Sequence, residues 1–455
     1  MLGAKGFTDA AEDIAPWLTD WRGRYHGKTP ALLAPASTSE VAAIVRLAAA
    51  HGVALVPQGG NTSMVGGATP PGDGSAVLVS MRRMNAIRAI DAASNVAIAE
   101  AGVVLQTLHE TVAAQARRFP LTLGAKGSAT IGGLASTNAG GTQVLRFGTM
   151  RALVAGIEAV LPDGQVHDGL AVLKKDNRGY DLTQLLVGAE GTLGIITAVA
   201  LRLVPAVEDR AVAWAGVESP HMALRLLRHA EQNMEIESFE IVPADTMALV
   251  LDHVPGARAP LAGPHPWFVL VELAGVRGAA ARLEAILADA FERELVRDAT
   301  IAANERQAEA FWHLRDSISE AERAAGPAVQ HDISVPVDAM PDFMIDGARA
   351  VEAAFPGTHA SAFGHLGDGN VHFHVRGSRD AEAGAWREAV GNQASRLVHD
   401  LVTAVGGSIS AEHGIGQMKR DELLRLAPSP RIAVLRAIKA ALDPLGIMNP
   451  GKLVP

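Results

Sequence analysis

Apolar and polar positions in the first part of the chain follow two periods. After the capping-box sequence Ser37-Thr38-Ser39-Glu40, apolar residues recur three or four positions apart through 41–48, which predicts an amphipathic helix that ends at Gly52. A second helix is predicted at 103–116. Between the helical segments lie short apolar runs, which are typical of buried strands. These runs predict strands at 31–34, 53–56, 77–80, 96–100, 154–161, 166–167 and 198–204.

The pattern changes at residues 205–210, where glycine clusters stop and longer helices alternate with isolated strands. Alternation of this kind predicts an α+β layer with an antiparallel sheet. The change therefore marks a boundary between two parts of the chain. The helices predicted beyond it are 222–234, 279–291, 305–325 and 386–405, and the strands are 236–241, 267–273 and 330–336.

Three segments of the first part are rich in Gly, Ser and Thr: residues 57–67, 120–141 and 185–197. Closely spaced glycines let a backbone fold tightly and direct consecutive N–H groups at one anion. The first segment has neither the Gly-Lys-Ser/Thr end of a Walker A loop nor the Gly-x-Gly-x-x-Gly spacing of a dinucleotide fingerprint. One such segment is also typical of an ordinary surface loop, but the repetition predicts an extended diphosphate ligand.

Gly367-Asp368-Gly369-Asn370 is strong turn chemistry, because Gly and Asn accept positive φ. It predicts a hairpin with a four-residue loop, in which Leu366 faces Val371 and His365 faces His372. Directly opposite Cβ atoms in a hairpin lie about 4.5–5.5 Å apart. One ion is therefore able to bridge the two imidazoles.

Strand alternation places His374 on the same face as His372, with the apolar residues beside them on the other face. A carboxylate from elsewhere would complete a set of two histidines and one acid, and Glu412 is the candidate. This set suits Zn²⁺, Mn²⁺ or Fe²⁺. The alternative interpretation is a polar hairpin whose histidines are solvated or hydrogen-bonded in the interior.

Charge and composition narrow the range of functions. The 455 residues carry a net charge of −9 without a basic cluster, which speaks against nucleic acid as a partner. There are no cysteines, which excludes disulfides, thiolate metal sites and a cysteine nucleophile. Neither an N-terminal signal pattern nor an apolar stretch of bilayer length is visible, so we expect a cytoplasmic protein without a membrane span.

Taken together, the motifs resemble a known family. The three glycine-rich segments, in this order, resemble the vanillyl-alcohol-oxidase/PCMH-type flavoproteins that bind FAD. Gly-His-Leu-Gly-Asp-Gly-Asn-Val-His from residue 364 and Ser-Ala-Glu-His-Gly-Ile-Gly from residue 410 are similar to the FAD-linked D-lactate and D-2-hydroxyglutarate dehydrogenases. The tail Asn449-Pro450-Gly451-Lys452 matches the same branch, and the resemblance covers residues 29–453.

The resemblance implies an α+β fold, with a PCMH-type FAD-binding domain of two α+β subdomains and a cap domain that carries an antiparallel sheet. The implied domains are 1–205 for FAD, 206–415 for substrate and metal, and 416–455 for a segment that returns to the FAD domain. Some relatives attach FAD through a His at the position of Asn61, so non-covalent FAD is expected. The implied FAD-binding residues are Pro57, Gly59, Gly60, Asn61, Thr62, Gly124, Gly127, Ser128, Thr130, Gly132, Gly133, Asn138, Gly141, Glu190, Gly191, Gly194, Ile195, Ile196 and Asn449.

The resemblance assigns metal binding to His365, His372 and Glu412, the general base to His413, and the substrate carboxylate to Arg315. Zn²⁺ is the first expectation for the metal, with Mn²⁺ and Fe²⁺ as alternatives. The implied reaction oxidises a D-2-hydroxy acid to the 2-oxo acid, because a metal-bound alcohol loses its proton to the base and its hydride to the flavin. An external electron acceptor and a homodimer belong to the same expectation.

Three further positions concern the substrate. Ser319, Gln330 and His374 are expected to contact it, and the last two depart from hydroxyglutarate-type members, which carry Lys and Asn there. Loss of the cation favours a monocarboxylic 2-hydroxy acid without excluding a dicarboxylate. Two other functions stay open. A metal-dependent hydrolase with the same His/His/Glu set leaves the glycine segments unexplained, and a flavin-binding protein without this activity leaves His413 and Arg315 unexplained.

Overall fold

The computed structural model describes residues 2–3, 5–275 and 277–455. Within these residues, no helix combines the length and the apolar character needed to cross a bilayer. The chain divides into two compact units, and each is built from both helices and strands. The first unit comprises Met1–Gly141, Phe147–Ala206 and Glu412–Pro455, and the second comprises Thr142–Arg146 and Val207–Ala411.

The strands follow the predicted apolar runs to within a few residues in most cases. In chain order they are β1 Phe7–Thr8, β2 Leu32–Leu33, β3 Ala54–Gln58, β4 Ala76–Ser80, β5 Ile87–Asp91, β6 Val96–Glu100, β7 Arg117–Arg118, β8 Val154–Val160, β9 Val166–Asp168, β10 Ile195–Arg202, β11 Val204–Pro205, β12 Arg210–Val217, β13 Ser238–Pro243, β14 Trp267–Ala274, β15 Asp298–Ile301, β16 Ala328–Ser334, β17 His359–His365 and β18 Asn370–Arg376.

The helices include several single turns between the longer amphipathic ones. In chain order they are α1 Ala11–Ile14, α2 Thr38–His51, α3 Leu105–Ala113, α4 Ile131–Thr137, α5 Val144–Phe147, α6 Met150–Leu153, α7 Leu182–Leu186, α8 Pro220–Glu231, α9 Ala244–His253, α10 Ala279–Glu292, α11 Glu305–Asp316, α12 Ile318–Ala324, α13 Met340–Ala354, α14 Ala383–Trp386, α15 Asn392–Ala404, α16 Arg420–Leu426 and α17 Ser429–Leu442.

Local sequence signals account for both ends of α2. The Ser37 side chain accepts a hydrogen bond from the Glu40 amide, and the Glu40 carboxylate accepts one from the Ala36 amide. This reciprocal pair is the predicted capping box. Gly52 ends the helix in the left-handed conformation, with φ of 64°.

The two larger sheets organise the first unit, and a smaller one pairs β7 with β11. One has the order β1-β2-β4-β3, with β4 parallel to both β2 and β3, and the other has the antiparallel order β5-β6-β10-β8-β9. The last residues of the chain join the first sheet, where Met448 pairs in parallel with Leu55. The Asn449 amide donates to the Leu55 carbonyl at 2.8 Å. The Asn449-Pro450-Gly451-Lys452 tail is therefore held beside β3, which leads into the first glycine-rich segment.

The second unit contains one seven-stranded sheet with the order β15-β12-β14-β13-β17-β18-β16. All neighbouring strands are antiparallel, which confirms the predicted antiparallel layer. A buried cluster that includes Trp214, Phe268, Phe311 and Phe363 packs between this sheet and its helices. The hairpin β17–β18 lies inside the sheet, between β13 and β16, so hydrogen bonds on both sides fix the direction of its side chains.

Two predicted long helices are interrupted. The predicted helix 305–325 is split at Ser317, whose hydroxyl forms a hydrogen bond with the His313 ring in the preceding turn. The predicted helix 386–405 begins with a π turn, Arg387–Gly391. Gly391 packs against Trp386 there, since an added Cβ would lie 3.1 Å from the indole ring. Hydrophobic periodicity does not reveal either interruption, because both preserve the buried face.

Candidate active site

The first two glycine-rich segments contact each other directly. A Cβ added at Gly59 would lie 2.2 Å from Oγ1 of Thr130, and one added at Gly60 would lie 1.8 Å from the carbonyl oxygen of Ser128. Only glycine permits this approach of the two backbones. The fold therefore brings the two predicted cofactor segments together in the first unit.

Buried polar atoms beside these segments have no partner in the described part of the chain. They are Oγ1 of Thr130, Oε1 of Gln58 and Oδ1 of Asn449. Buried polar atoms are nearly always hydrogen-bonded in native proteins, so such a group marks a position where a cofactor is able to supply the partner. The contact between the segments at Gly59 and Gly60 and at Ser128 and Thr130 is called the glycine cradle below. Three polar atoms without a partner beside it fit an elongated, polar cofactor such as FAD.

Other predicted cofactor residues have structural partners. Asn138 ends α4 with φ of 50°, and its Oδ1 accepts hydrogen bonds from the Thr149 hydroxyl and the Arg151 amide. The side chain of Asn61 donates to the Thr19 carbonyl. Neighbouring atoms also leave no space for a side chain at the predicted glycines Gly132, Gly141, Gly191 and Gly194, while Gly124 has open surroundings and Gly127 has only an ordinary contact with Gln106.

The metal-site hairpin differs in register from the prediction. His365 pairs with Asn370 and Phe363 pairs with His372, so the two histidines are diagonal rather than directly opposite. The predicted pairing of His365 with His372 was therefore wrong. The physical reason is that Gly369, with φ of 79°, closes the turn, and Asn370 enters the strand as its first residue.

The diagonal arrangement still brings the imidazoles together. The ring centroids of His365 and His372 lie 5.4 Å apart, and ring nitrogens of the two lie within 4.8 Å of each other. His374 shares their face, as predicted, because it pairs with Ser361 while Val371 pairs with Gly364 in the alternate position. The pair is therefore spaced for one shared ion.

A buried carboxylate that the sequence analysis missed holds this pair. Oε1 of Glu240 accepts a hydrogen bond from Nδ1 of His365 at 2.5 Å, and Oε2 of Glu240 accepts one from Nε of Arg315 at 2.8 Å. Nη2 of Arg315 lies 3.3 Å from Nε2 of His365. Glu240 thus fixes the orientation of both the imidazole and the guanidinium.

The charges of the second unit act in opposite directions on the two imidazoles. Burial by itself would lower the pKa of His365, but the Glu240 carboxylate raises it to about 9. Burial, together with the charges of Arg315 and His365, holds the pKa of His372 well below its ordinary value. Because Glu240 engages Nδ1 of His365, Nε2 is the ring nitrogen directed at a ligand. A carboxylate behind a ligating imidazole is the usual support of a bound metal.

Glu412 and His413 begin the last segment of the first unit. Their ligand atoms lie within 4.8 Å of each other. In the second unit, the amide of the preceding residue, Ala411, donates to the Asp332 carbonyl at 3.3 Å. Asp332 is directly opposite His372 in the β16–β18 ladder.

The predicted substrate residues lie on two elements of the second unit. Gln330 and His374 are cross-strand partners in the β16–β18 ladder, whereas Ser319 is exposed on α12. Glu322, also on α12 and missed by the sequence analysis, lies 4.0 Å from Nδ1 of His374. The carboxylates of Glu240, Asp332 and Glu322 are all buried. Glu240 stands out in the sequence as an acid within an apolar run, whereas Asp332 and Glu322 have polar neighbours, and none of the three signals specifies a partner.

Comparison with known proteins supports a flavin site. The FAD binding domain model matches residues 29–169, and the model for the C-terminal domain of FAD linked oxidases matches residues 206–453. The fold is similar to that of p-cresol methylhydroxylase, with a TM-score of 0.77 and 15% identity over 99% of this chain and 94% of that chain. It is also similar to 4-ethylphenol oxidase from Gulosibacter chungangensis, with a TM-score of 0.74 and 20% identity over 100% of this chain and 95% of that one.

Curated relatives match at higher identity. The chain is 36% identical to a mitochondrial D-2-hydroxyglutarate dehydrogenase of Arabidopsis thaliana, over 100% of this chain and 80% of the relative. It is 38% identical to a protein of the same name from Bos taurus, over 98% of this chain and 80% of the relative. A putative mitochondrial D-lactate dehydrogenase of Schizosaccharomyces pombe is 34% identical, over 98% of this chain and 86% of the relative.

The fold and the glycine cradle define a PCMH-type flavoprotein, and the predicted fold class is confirmed. Within that class, the chain belongs to the family of FAD-linked D-lactate and D-2-hydroxyglutarate dehydrogenases. The predictions of FAD and of an oxidoreductase are confirmed by this membership.

Proposed function

We propose that this protein oxidises a D-2-hydroxy acid to the 2-oxo acid with the help of a divalent metal ion. The observation that carries the proposal is the His365–His372 pair, oriented by Glu240 and adjoined by Arg315. A hydrolase with the same metal ligands would not explain the buried polar atoms without a partner beside the glycine-rich segments of the first unit. The dehydrogenase accounts for both features.

The metal ligands in this proposal are Nε2 of His365, the ring of His372 and the carboxylate of Glu412. Glu412 is joined by one peptide bond to Ala411, whose amide donates to the residue opposite His372. A bound Zn²⁺, Mn²⁺ or Fe²⁺ would lower the pKa of the substrate alcohol as a Lewis acid. Two imidazoles and one carboxylate leave positions open for a chelating hydroxyl and carboxylate.

Arg315 is proposed to bind the substrate carboxylate. Its Nε is committed to Glu240, and that ion pair is largely buried, with 11% and 1% of the two side chains exposed. A guanidinium fixed in this way holds its Nη atoms in a defined plane, which suits recognition of a planar carboxylate. The carboxylate would then set which face of C2 is presented.

His413 is proposed to accept the alcohol proton. An imidazole is suited to this step because its ordinary pKa lies near the working pH. Bound FAD would supply the two-electron acceptor for the C2 hydride, and an external acceptor would reoxidise it. In this account the FAD is non-covalent, since Asn61 has no nucleophilic atom and its amide is engaged with Thr19.

Residues beyond the metal pair bear on the substrate class. Gln330 and His374 face each other across a ladder and carry no permanent positive charge. A second substrate carboxylate would need a cation, and the nearby Arg376 is already paired with the buried Glu322 at 2.9 Å. We therefore propose a monocarboxylic, D-lactate-like substrate ahead of a D-2-hydroxyglutarate-like one.

An anaerobic screen tests the proposal. The purified yellow protein is mixed with D- and L-2-hydroxy acids of increasing side-chain length, including dicarboxylates, and loss of the oxidised flavin absorbance is recorded. Bleaching by D-monocarboxylic acids is the expected result. Bleaching by L-acids alone would contradict the substrate assignment. A flavin that no hydroxy acid reduces would favour a binding protein without this activity.

A further inference from the structure

Glu190 is a buried acid at the centre of the third glycine-rich segment. It is 7% exposed and has a left-handed backbone, with φ of 52°. Its amide donates to the Ser136 carbonyl at 2.8 Å, and its carbonyl accepts from Nδ2 of Asn449 at 2.7 Å. A strained backbone conformation that is held by hydrogen bonds of both the amide and the carbonyl is characteristic of a residue at a functional site.

The Glu190 side chain holds the backbone of the loop that follows His413. Oε1 accepts a hydrogen bond from the Ile415 amide and Oε2 accepts one from the Gly416 amide, each at 2.7 Å. The chain between α15 and α16 contains no other helix or strand, so these two bonds replace regular structure there. Hydrogen bonds to a buried charged acceptor are roughly twice as strong as neutral ones.

Two glycines of this loop lie in close contacts, one with Glu190 and one with Val65. Gly414 has φ of 80°, and an added Cβ would lie 2.7 Å from Oε1 of Glu190. Gly416 has φ of 51°, and an added Cβ would lie 2.3 Å from the Val65 carbonyl oxygen. The loop therefore closes onto the Glu190 carboxylate with no space for side chains at these positions.

A direct cofactor contact explains the Glu190 side chain less well. Both of its oxygens already accept amide hydrogens, and a second anion such as a diphosphate would be repelled by the carboxylate. Burial raises the pKa of Glu190, and the two amides and the charges of Lys419 and Lys452 offset that rise only in part. The geometry identifies the role of the side chain, because each of its two oxygens accepts from a different backbone amide of the loop.

We infer that Glu190 is a positioning residue, which acts through the Ile415 and Gly416 amides to fix Glu412 and His413 for metal binding and proton transfer. The functional part of this inference rests on the proposed roles of Glu412 and His413. The structural part, that one carboxylate orders this loop, is independent of those roles.

Two variants test the inference on the FAD-loaded protein. Glu190→Gln offers one acceptor oxygen and places an NH₂ group against the other amide, and Glu190→Asp keeps the charge but shortens the side chain. Glu158→Gln is the matched control, because Glu158 is a hydrogen-bonded carboxylate of the same unit that accepts from Thr38 and Thr197 instead. If Glu190→Gln does not fold, Glu190→Asp carries the test.

Hydrogen exchange of peptides that cover residues 412–417 is the first readout. Loss of one charge-assisted hydrogen bond predicts exchange about 10- to 100-fold faster in both Glu190 variants, and no change in Glu158→Gln. The second readout is Zn²⁺ or Mn²⁺ titration of chelator-treated protein, in which the variants bind at least about 10-fold more weakly. Flavin content stays at the wild-type level, and kcat falls more than KM rises.

Unchanged exchange in both Glu190 variants would overturn the inference. Loss of flavin with unchanged exchange would show that Glu190 is a cofactor ligand instead. Faster exchange with unchanged metal affinity and unchanged kcat would also overturn it, because the loop order would then have no role at the site. If the wild-type protein neither binds metal nor reduces its flavin with hydroxy acids, the proposed function fails, which is distinguishable from all of these results.

Discussion

Glu240 determines how the charged side chains of the second unit are held. The sequence predicted His365 and Arg315 as functional residues, but it gave no partner that orients them. Glu240 lies in β13, among residues that are buried on both faces of the sheet. In the sequence, Glu240 is visible only as an acid within an apolar run. Its position opposite His365 follows from the β13–β17 pairing.

Removing Arg315 should therefore cost stability as well as activity. Arg315→Met leaves the buried Glu240 carboxylate with His365 as its remaining cationic partner, which is expected to lower the free energy of unfolding by up to about 3–5 kcal/mol. The double variant Glu240→Gln/Arg315→Met removes the carboxylate charge and should recover part of this loss. Urea unfolding of both variants measures the difference. An Arg315→Met variant within about 1 kcal/mol of wild type would mean that the pair is solvated.

His413→Ala should separate catalysis from cofactor binding. The variant is expected to purify with normal flavin content, while kcat falls about 10²- to 10⁴-fold, the usual contribution of a general base. His51→Ala is the control, because His51 is exposed at the end of α2. Near-normal turnover in His413→Ala would remove the base assignment.

In the β17–β18 hairpin, the sequence pattern predicts which side chains share a face but does not predict the pairing register. Strand alternation correctly placed His372 and His374 on one face. The register was wrong because either Gly369 or Asn370 is able to take a left-handed position, and the sequence does not distinguish them. The observed turn uses Gly369, whose surroundings exclude a side chain.

Gly369→Ala should destabilise the hairpin more than its backbone conformation alone requires. Gly369 and Gly406 have nearly equal φ values of 79° and 77°, but a Cβ at Gly369 would lie 2.2 Å from the Val335 carbonyl oxygen, whereas nothing lies within 4 Å at Gly406. Gly406→Ala is therefore the control and should cost about 1–2 kcal/mol. Thermal unfolding should show a clearly larger loss for Gly369→Ala, and equal losses would contradict the described turn.

The start of β17 is tied to α9 by a titratable pair, His359 and Asp245. The hydrogen bond to Asp245 raises the pKa of His359, with Glu352 adding to the rise and burial and Arg376 opposing it. Burial would raise the pKa of Asp245, but His359 brings it below its ordinary value. Both groups therefore stabilise the fold when both are charged.

This pair predicts a stability contribution that depends on pH. The stabilisation that comes from a raised histidine pKa is complete below about pH 6.5 and is lost as the pH rises through the pKa of the folded state. The stabilisation that comes from a lowered aspartate pKa is present above about pH 4. Because His359 is 44% exposed, the contribution is about 0.5–1 kcal/mol. Wild type and His359→Gln should differ in urea unfolding at pH 5.5 and converge near pH 9.5. A difference independent of pH would contradict the pairing.

At the scale of the whole molecule, the fold class followed from the sequence, while strand pairing did not. Apolar runs located most strands, and the change after Pro205 separated the glycine-rich part from the antiparallel part. The order of the seven strands depends on contacts between residues far apart in the chain, such as β13 with β17. Local periodicity carries no information about such pairs, so Glu240, Asp332 and Glu322 could not be assigned to the site.

Single-turnover flavin reduction shows whether oxidation of the hydroxy acid depends on the metal. Wild-type protein is mixed anaerobically with a D-2-hydroxy acid before chelation, after chelation, and after return of Zn²⁺ or Mn²⁺, and the rate of flavin bleaching is recorded. We expect fast bleaching before chelation, a rate lower by about 10²-fold or more after chelation, and recovery of the rate when the metal is returned. Bleaching at an undiminished rate in protein shown to be free of metal would contradict it.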